Sequence, residues 1–345
     1  MINKFDDVRG FPEWEQDAIE TPEFEVLKTL TFNESTKWTN SSKPKELIEY
    51  GKVPPLGVKD IHAKGVTGKG INVAIIDQQL ALGHPEYKDQ IAEYKTFGEA
   101  EKQRKSSLHG PAVTSLLAGK TIGTAPDAKI YYAACPQALD REGSGGAKFE
   151  AEALEWIIQV NQTLPEGEKI KFVSASTAPD KRLENPELWT TALKKAEAAG
   201  IVVVDASISN GFLMAGYVDY QDKSFKDGFP EGSSYKRSAE KMIESNRRPH
   251  VSVPNSLRTA AESYDDENFG YTFYGCGGFS WAMPYVTGIL ALGQQMNNEL
   301  SADKLKQLLI ESATRNNGVI DPKGFLKAVQ SQQHREVAQK SEREI

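Results

Sequence analysis

Three residues of this chain, Asp77, His109 and Ser280, could together act on a carbonyl carbon. An aspartate can hold an imidazole in one tautomer, the imidazole can take a hydroxyl proton, and the serine oxygen can then attack an acyl carbon. Singly, each has an ordinary structural reading. Asp77 ends an apolar run, where aspartate often caps a helix or shapes a turn. His109 opens the small-residue run His109-Gly-Pro-Ala-Val-Thr-Ser-Leu-Leu-Ala118, and a histidine at a helix start is usually structural or exposed. Ser280 lies in Gly275-Cys-Gly-Gly-Phe-Ser-Trp-Ala-Met-Pro284, a glycine-rich turn entering an apolar segment, which is a usual place for an N-cap. Together the three follow the chain order Asp, His, Ser, one of the convergent orders of the hydrolytic triad. A serine at a helix N-terminus also sets its oxygen near backbone N–H groups that would stabilise an oxyanion.

Such groups need a scaffold that presents them at the carboxyl ends of strands, where side chains leave a sheet at a crevice. Residues 71–77, 129–134, 170–176 and 201–206 are short, nearly continuous apolar runs, the pattern of strands covered on both faces. Helical patterns lie between them. Phe149, Ala153, Trp156, Ile157 and Val160 recur at helical spacing, and 186–199 has proline in its first turn and Gly200 after its end. Further helices are expected at 281–296, 302–312 and 322–330. The alternation predicts a three-layer α/β fold, a mainly parallel sheet with helices on both faces.

The ends of the chain differ from this middle. Residues 1–58 carry 11 acidic and 7 basic residues and are broken by Pro12, Pro22, Pro44, Pro54 and Pro55. They read as an extension lying on another surface. Residues 331–345 balance three acids against three bases with little apolar periodicity, so a flexible tail is expected. The predicted organisation is therefore an extension at 1–58, a catalytic domain at 59–330 and a tail at 331–345.

Several segments resemble the subtilisin-like serine peptidases, or subtilases. Val66-Thr-Gly-Lys-Gly-Ile-Asn-Val-Ala-Ile-Ile-Asp77, with Gly83-His-Pro-Glu86, is similar to the family's aspartate segment. His109-Gly110, Val113, Ala118-Gly119 and Gly123-Thr-Ala-Pro-Asp-Ala-Lys-Ile130 resemble its histidine segment, and Gly278-Phe-Ser-Trp-Ala-Met-Pro-Tyr-Val-Thr-Gly288 its serine segment. Asp140-Arg-Glu-Gly-Ser-Gly-Gly146 and Leu154-Glu-Trp-Ile157 look like its substrate-lining loop and helix. The resemblance implies a subtilisin-like fold and a serine endopeptidase working through an acyl-enzyme, with Asp77 orienting, His109 as base and then acid, and Ser280 as nucleophile. It implies an oxyanion hole from the Ser280 N–H and an asparagine side chain. Asn210 is assigned to that place, although gapless alignment puts Ser209 there. Gly145, Ser174, Ala175 and Ser176 are expected to contact substrate.

The chain also departs from the family pattern. Gln78 and Gln79 stand where a small residue and glycine are favoured, so the turn after Asp77 must be built differently. Pro111 replaces a small hydroxyl residue, and Phe279 replaces the threonine before the nucleophile. These changes motivate a second reading, a catalytically weakened subtilase-fold binding or regulatory protein. The segment at 118–123 is too short for the calcium loop that many subtilases place there. No cofactor is expected, with calcium elsewhere left open.

Composition narrows the partners. The 345 residues suggest roughly two domains at most, and the net charge is 41 − 48 = −7 with no basic block, which argues against nucleic acid. No apolar run approaches the roughly 20 residues that cross a bilayer, so no membrane partner is expected. The start lacks the pattern of a secretory signal, which points to the cytoplasm. Cys135 and Cys276 lack metal or redox spacing and read as packed, reduced thiols. Gly65-Val-Thr-Gly-Lys-Gly70 precedes its strand, whereas a phosphate loop must follow one. The expected partners are a peptide or protein substrate and the chain's own extension, whose Lys52-Val-Pro-Pro-Leu-Gly57 could occupy the substrate cleft as an inhibitor or serve as a surface strap.

Overall fold

The computed structural model of the chain describes residues 2–10, 17–39, 41–98, 108–136, 147–176, 184–206, 213–216, 251–265 and 267–343. The extension holds α1 (Phe24–Leu27), β1 (Thr31–Asn33) and α2 (Lys43–Lys52), and the short α3 (Val58–His62) follows. Then come β2 (Asn72–Asp77), β3 (Ile91–Thr96), α4 (His109–Ala118), β4 (Lys129–Ala134), α5 (Lys148–Thr163), β5 (Phe172–Ala175), α6 (Pro186–Ala198) and β6 (Val202–Asp205). The last third holds β7 (Leu213–Gly216), β8 (Val251–Pro254), β9 (Arg258–Ser263), β10 (Phe269–Tyr274), α7 (Ala282–Met296), α8 (Ala302–Arg315) and α9 (Pro322–Arg343).

A parallel five-stranded sheet, in the order β3-β4-β2-β5-β6, forms the centre. β2 is buried along its whole length because helices cover both faces. Its alternation divides it between two cores: Val73 and Ile75 pack with Leu116 of α4 and Val286 of α7, while Ala74 and Ile76 pack with Leu154 of α5 and Trp189 of α6. The three-layer α/β architecture expected from the sequence is the one found.

Two features depart from the expectations. β3 carries no apolar run because it is an edge strand whose residues are only partly covered. α9 continues to Arg343, past residue 330 where apolar periodicity stops, on a sequence rich in the good helix formers Gln, Glu, Lys, Arg and Ala. The backbone of 331–343 is helical. Among the described residues no helix is long and apolar enough to cross a membrane.

The extension is integrated into a second sheet, the antiparallel β1-β10-β9, in which Phe32 faces Phe273 across the ladder. Leu27, Leu30, Phe32, Leu47 and Ile48 of the extension form one cluster with Leu257, Phe273 and Val319. α2 lies on the hairpin so closely that a Cβ at Gly51 would come within 2.6 Å of the Thr259 nitrogen. At Pro54 and Pro55 the extension is held by its neighbours: the Pro55 carbonyl accepts from Tyr285 Oη at 3.0 Å, and the segment lines a pocket with Leu257 and Arg258. The physical reason is that α2 pins one end of the segment to β9 and α3 follows at once on the other.

Phe32 is fully buried, with its ring centroid 5.3 Å from Trp38 and 5.1 Å from Phe273. Phe32→Ala is expected to lower unfolding free energy by about 3–5 kcal/mol in urea denaturation, the usual cost of emptying a buried aromatic site.

Candidate active site

Asp77 is the last residue of the central strand, so its side chain emerges at the carboxyl edge of the sheet. The carboxylate is buried, and a charge there needs donors. His109 Nδ1 lies 2.7 Å from Asp77 Oδ1, and the Gln78 N–H donates to the same oxygen at 2.8 Å. With Nδ1 committed to the carboxylate, the neutral imidazole carries its lone pair on Nε2, the atom that could accept a proton.

The position of His109 follows from the start of α4. Pro111 sits in the first turn, where its missing N–H leaves no helical bond unmade. Gly110 is required by close approach: a Cβ there would come within 2.6 Å of the Gln79 carbonyl oxygen and 2.7 Å of that of Gln78. The helix start and the turn after Asp77 are therefore packed backbone to backbone. Burial draws the His109 imidazole downward, while the charge of Asp77 and the hydrogen bond to it push it up, and the balance lies above the ordinary histidine value.

Ser280 sits in a single 3₁₀ turn, Phe279–Trp281, that leads into α7, so it precedes the helix without capping it. The loop before it is set by a glycine with φ of +66°, Gly277, where a Cβ would lie 1.7 Å from the Asn255 carbonyl oxygen. Two contacts then fix the turn. Ser176 Oγ donates to the Ser280 carbonyl at 2.9 Å, tying it to the end of β5. The Trp281 ring lies 5.6 Å from the His109 ring and 4.9 Å from that of Tyr274. The residue after Ser280 thus packs against the His109 ring, and no hydrogen bond joins the Ser280 hydroxyl to His109 among the described residues.

The other expected site residues divide. Ser174 and Ala175 are buried within β5, which leaves Ser176 as the member of that set at the crevice. Gly145, Ser209 and Asn210 lie outside the described residues. Burial pushes the thiols of Cys135 and Cys276 up, so neither is poised as a thiolate. His84 is buried against Tyr87 and Phe269, and His62 contacts the Thr124 carbonyl oxygen at 2.8 Å, both structural placements. Among the described residues no group of three or more His, Cys, Asp or Glu side chains is placed to hold a metal ion. The sequence reading overlooked Tyr132, whose hydroxyl donates to the Gln78 carbonyl at 2.5 Å. Its signal is a phenol in a strand covered on both faces, which must find a partner.

Residues 68–327 match the family model described as the subtilase family. The chain is 26% identical over 305 residues to the serine protease AprX of Bacillus subtilis, an alignment covering 79% of this chain and 64% of that protein. It is 25% identical over 338 residues to the M-protease of Shouchella clausii, covering 91% of this chain and 82% of that protein. Among solved structures it is similar to the PatG macrocyclase domain, with a TM-score of 0.54, 16% identity and coverage of 81% of this chain and 95% of that one. The prenylagaramide maturation protease PagA gives a TM-score of 0.53 at 18% identity, covering 79% and 98%. At these identities the structural likenesses speak for the shared fold.

The Asp77–His109 contact has a direct readout. In an NMR titration the His109 ring is expected to protonate with a midpoint above that of an ordinary histidine, and Asp77→Asn to bring the midpoint down, since it removes the charge that holds the imidazolium.

Proposed function

The chain belongs to the subtilase family, and from that premise we propose that it is a serine endopeptidase cleaving peptide bonds through an acyl-enzyme. The observation that carries the reading is the 2.7 Å contact of His109 with a buried aspartate at the crevice edge of the sheet, with the Ser280 turn packed against the imidazole through Trp281.

In this reading His109 Nε2 takes the Ser280 hydroxyl proton as Oγ attacks the peptide carbonyl carbon. Asp77 holds the imidazole in register and stabilises the imidazolium that forms. The Ser280 N–H and the Asn210 side chain receive the negative oxygen of the tetrahedral intermediate. As that intermediate collapses, the C–N bond breaks, His109 gives its proton to the departing amine, and the acyl group stays on Ser280. Water then attacks the ester, giving its proton to His109, and release of the new carboxyl end restores the serine. Ser176 and Gly145 are assigned to the substrate channel, and the substrate class is peptide or protein.

The extension enters as a brace. Its support is the contact of the Leu30 carbonyl with the Gly275 N–H at 2.8 Å, in the loop that leads to Ser280, together with the bond of the Pro55 carbonyl to Tyr285.

A fluorophosphonate probe is expected to label the protein, and Ser280→Ala to abolish both the label and peptide hydrolysis, a loss on the order of a millionfold. Absence of a Ser280-dependent label in full-length and trimmed protein alike would leave the weakened, binding-protein reading in its place. Asn210→Ala is expected to lower kcat at least about a hundredfold with Ser209→Ala near wild type; the reverse order would assign the oxyanion donor to Ser209. Removing residues 1–52 is expected to lower thermal stability and hydrolysis together, whereas a rise in hydrolysis would identify the extension as an inhibitor.

A further inference from the structure

The turn after Asp77 poses a physical problem that the triad alone does not answer. Gln78 and Gln79 occupy it without positive φ angles, so it is not held by the left-handed geometry that glycine supplies. Its carbonyls are instead turned inward, against the Gly110 backbone beside His109. A carbonyl in that place requires a donor.

Two tyrosines supply the bonding. Tyr132, fully buried in β4, donates its hydroxyl to the Gln78 carbonyl at 2.5 Å, and the Thr114 hydroxyl donates to the Gly110 carbonyl at 2.7 Å. Tyr94, from β3, accepts the Leu80 N–H at 3.3 Å and stacks on Tyr132 at 5.4 Å with the rings 13° from parallel. Gln78 is therefore held on both sides: its N–H by the Asp77 carboxylate and its carbonyl by Tyr132.

We propose that Tyr132 is a positioning residue of the hydrolytic site, its hydroxyl fixing the Gln78 backbone so that Asp77 Oδ1 receives the Gln78 N–H and His109 Nδ1 together. The inference rests on the peptidase reading given above. It acts through Gln78, without contact between Tyr132 and substrate. The titratable groups facing the carboxylate are His109 from α4, Tyr132 from β4 and Cys135 just beyond β4, and burial keeps the phenol and the thiol neutral. Losing the hydroxyl frees the Gln78 peptide to rotate, which weakens the hold of Asp77 on the imidazole. The fold can survive this loss because the Tyr132 ring keeps its stack on Tyr94.

The test compares Tyr132→Phe with wild type in hydrolysis of a peptide substrate and in NMR titration of His109. A fall in kcat of roughly ten- to a hundredfold at unchanged KM is expected. With it, the acid limb of the rate profile and the His109 midpoint both move to lower pH, because a loosened carboxylate stabilises the imidazolium less. Incorporating 4-aminophenylalanine at position 132 restores an N–H donor and is expected to recover most of the rate. Should Tyr132→Phe fail to fold, 4-methylphenylalanine keeps the side-chain volume without the donor and takes its place. A folded donor-less protein with unchanged kcat, limb and His109 midpoint overturns the proposal, whatever its melting temperature. Fluorophosphonate labelling of wild-type Ser280 is run alongside. A labelled wild type with an unaffected donor-less variant rejects the positioning role alone, whereas a wild type unlabelled both at full length and after removal of residues 1–52 rejects the peptidase reading.

Discussion

A buried carboxylate at the open end of a strand covered on both faces is the constraint around which the molecule is arranged. Taking an ionised group from water costs several kcal/mol unless its oxygens are met by donors. Asp77 Oδ1 meets two, the His109 ring and the Gln78 N–H. Satisfying both from one oxygen requires α4 to begin at His109, the turn to fold back on Gly110, and glycine at position 110 so that the two backbones can meet. The geometry that solves the desolvation problem is also the one that orients the His109 imidazole.

Ser280 belongs to a different part of the fold. Ser280 follows the β9–β10 hairpin, which belongs to the second sheet, and its turn is held by Ser176 from the first. Trp281 joins the two, one ring contact toward His109 and the other toward Tyr274 at the end of β10. Its indole thus transmits the position of the hairpin to the imidazole. A tryptophan is stiff and wide enough for this, whereas a flexible side chain would let the two sheets settle independently.

The readable parts of the sequence were those where burial is uniform. β2, β4, β5 and β6 are covered on both faces and spell themselves as apolar runs, and α5 and α6 carry periodic apolar faces. Asp77 was legible because it ends such a run, and His109 because small residues follow it. The hairpin was opaque for the opposite reason: Arg258, Thr259, Glu262, Ser263 and Thr272 are polar yet buried, so its hydrophobic pattern is absent although its core is real. β1 is too short to show a period, and it becomes a strand only because β10 offers an open edge. Tyr132 was hidden by its surroundings, since an aromatic residue in an apolar strand reads as packing. Only the partner of its hydroxyl shows otherwise.

Those buried polar groups explain how the extension is held in one register against β10. Glu262 is almost wholly buried and is met by Asn33 Nδ2 at 2.9 Å and by Arg9 at 3.6 Å, both from the extension. Such a pair adds little net stability after desolvation, but it discriminates strongly between registers. Sliding β1 by one residue along β10 would turn Phe32 out of its cluster and take Asn33 away from Glu262, so an apolar and a polar penalty fall on the same slip. With the register fixed, the Leu30 carbonyl stands opposite the Gly275 N–H. A backbone bond at that point fixes where the chain leaves β10, and the glycine-rich turn carries that position to Ser280. The register of the extension is thereby tied to the backbone just before the Ser280 turn.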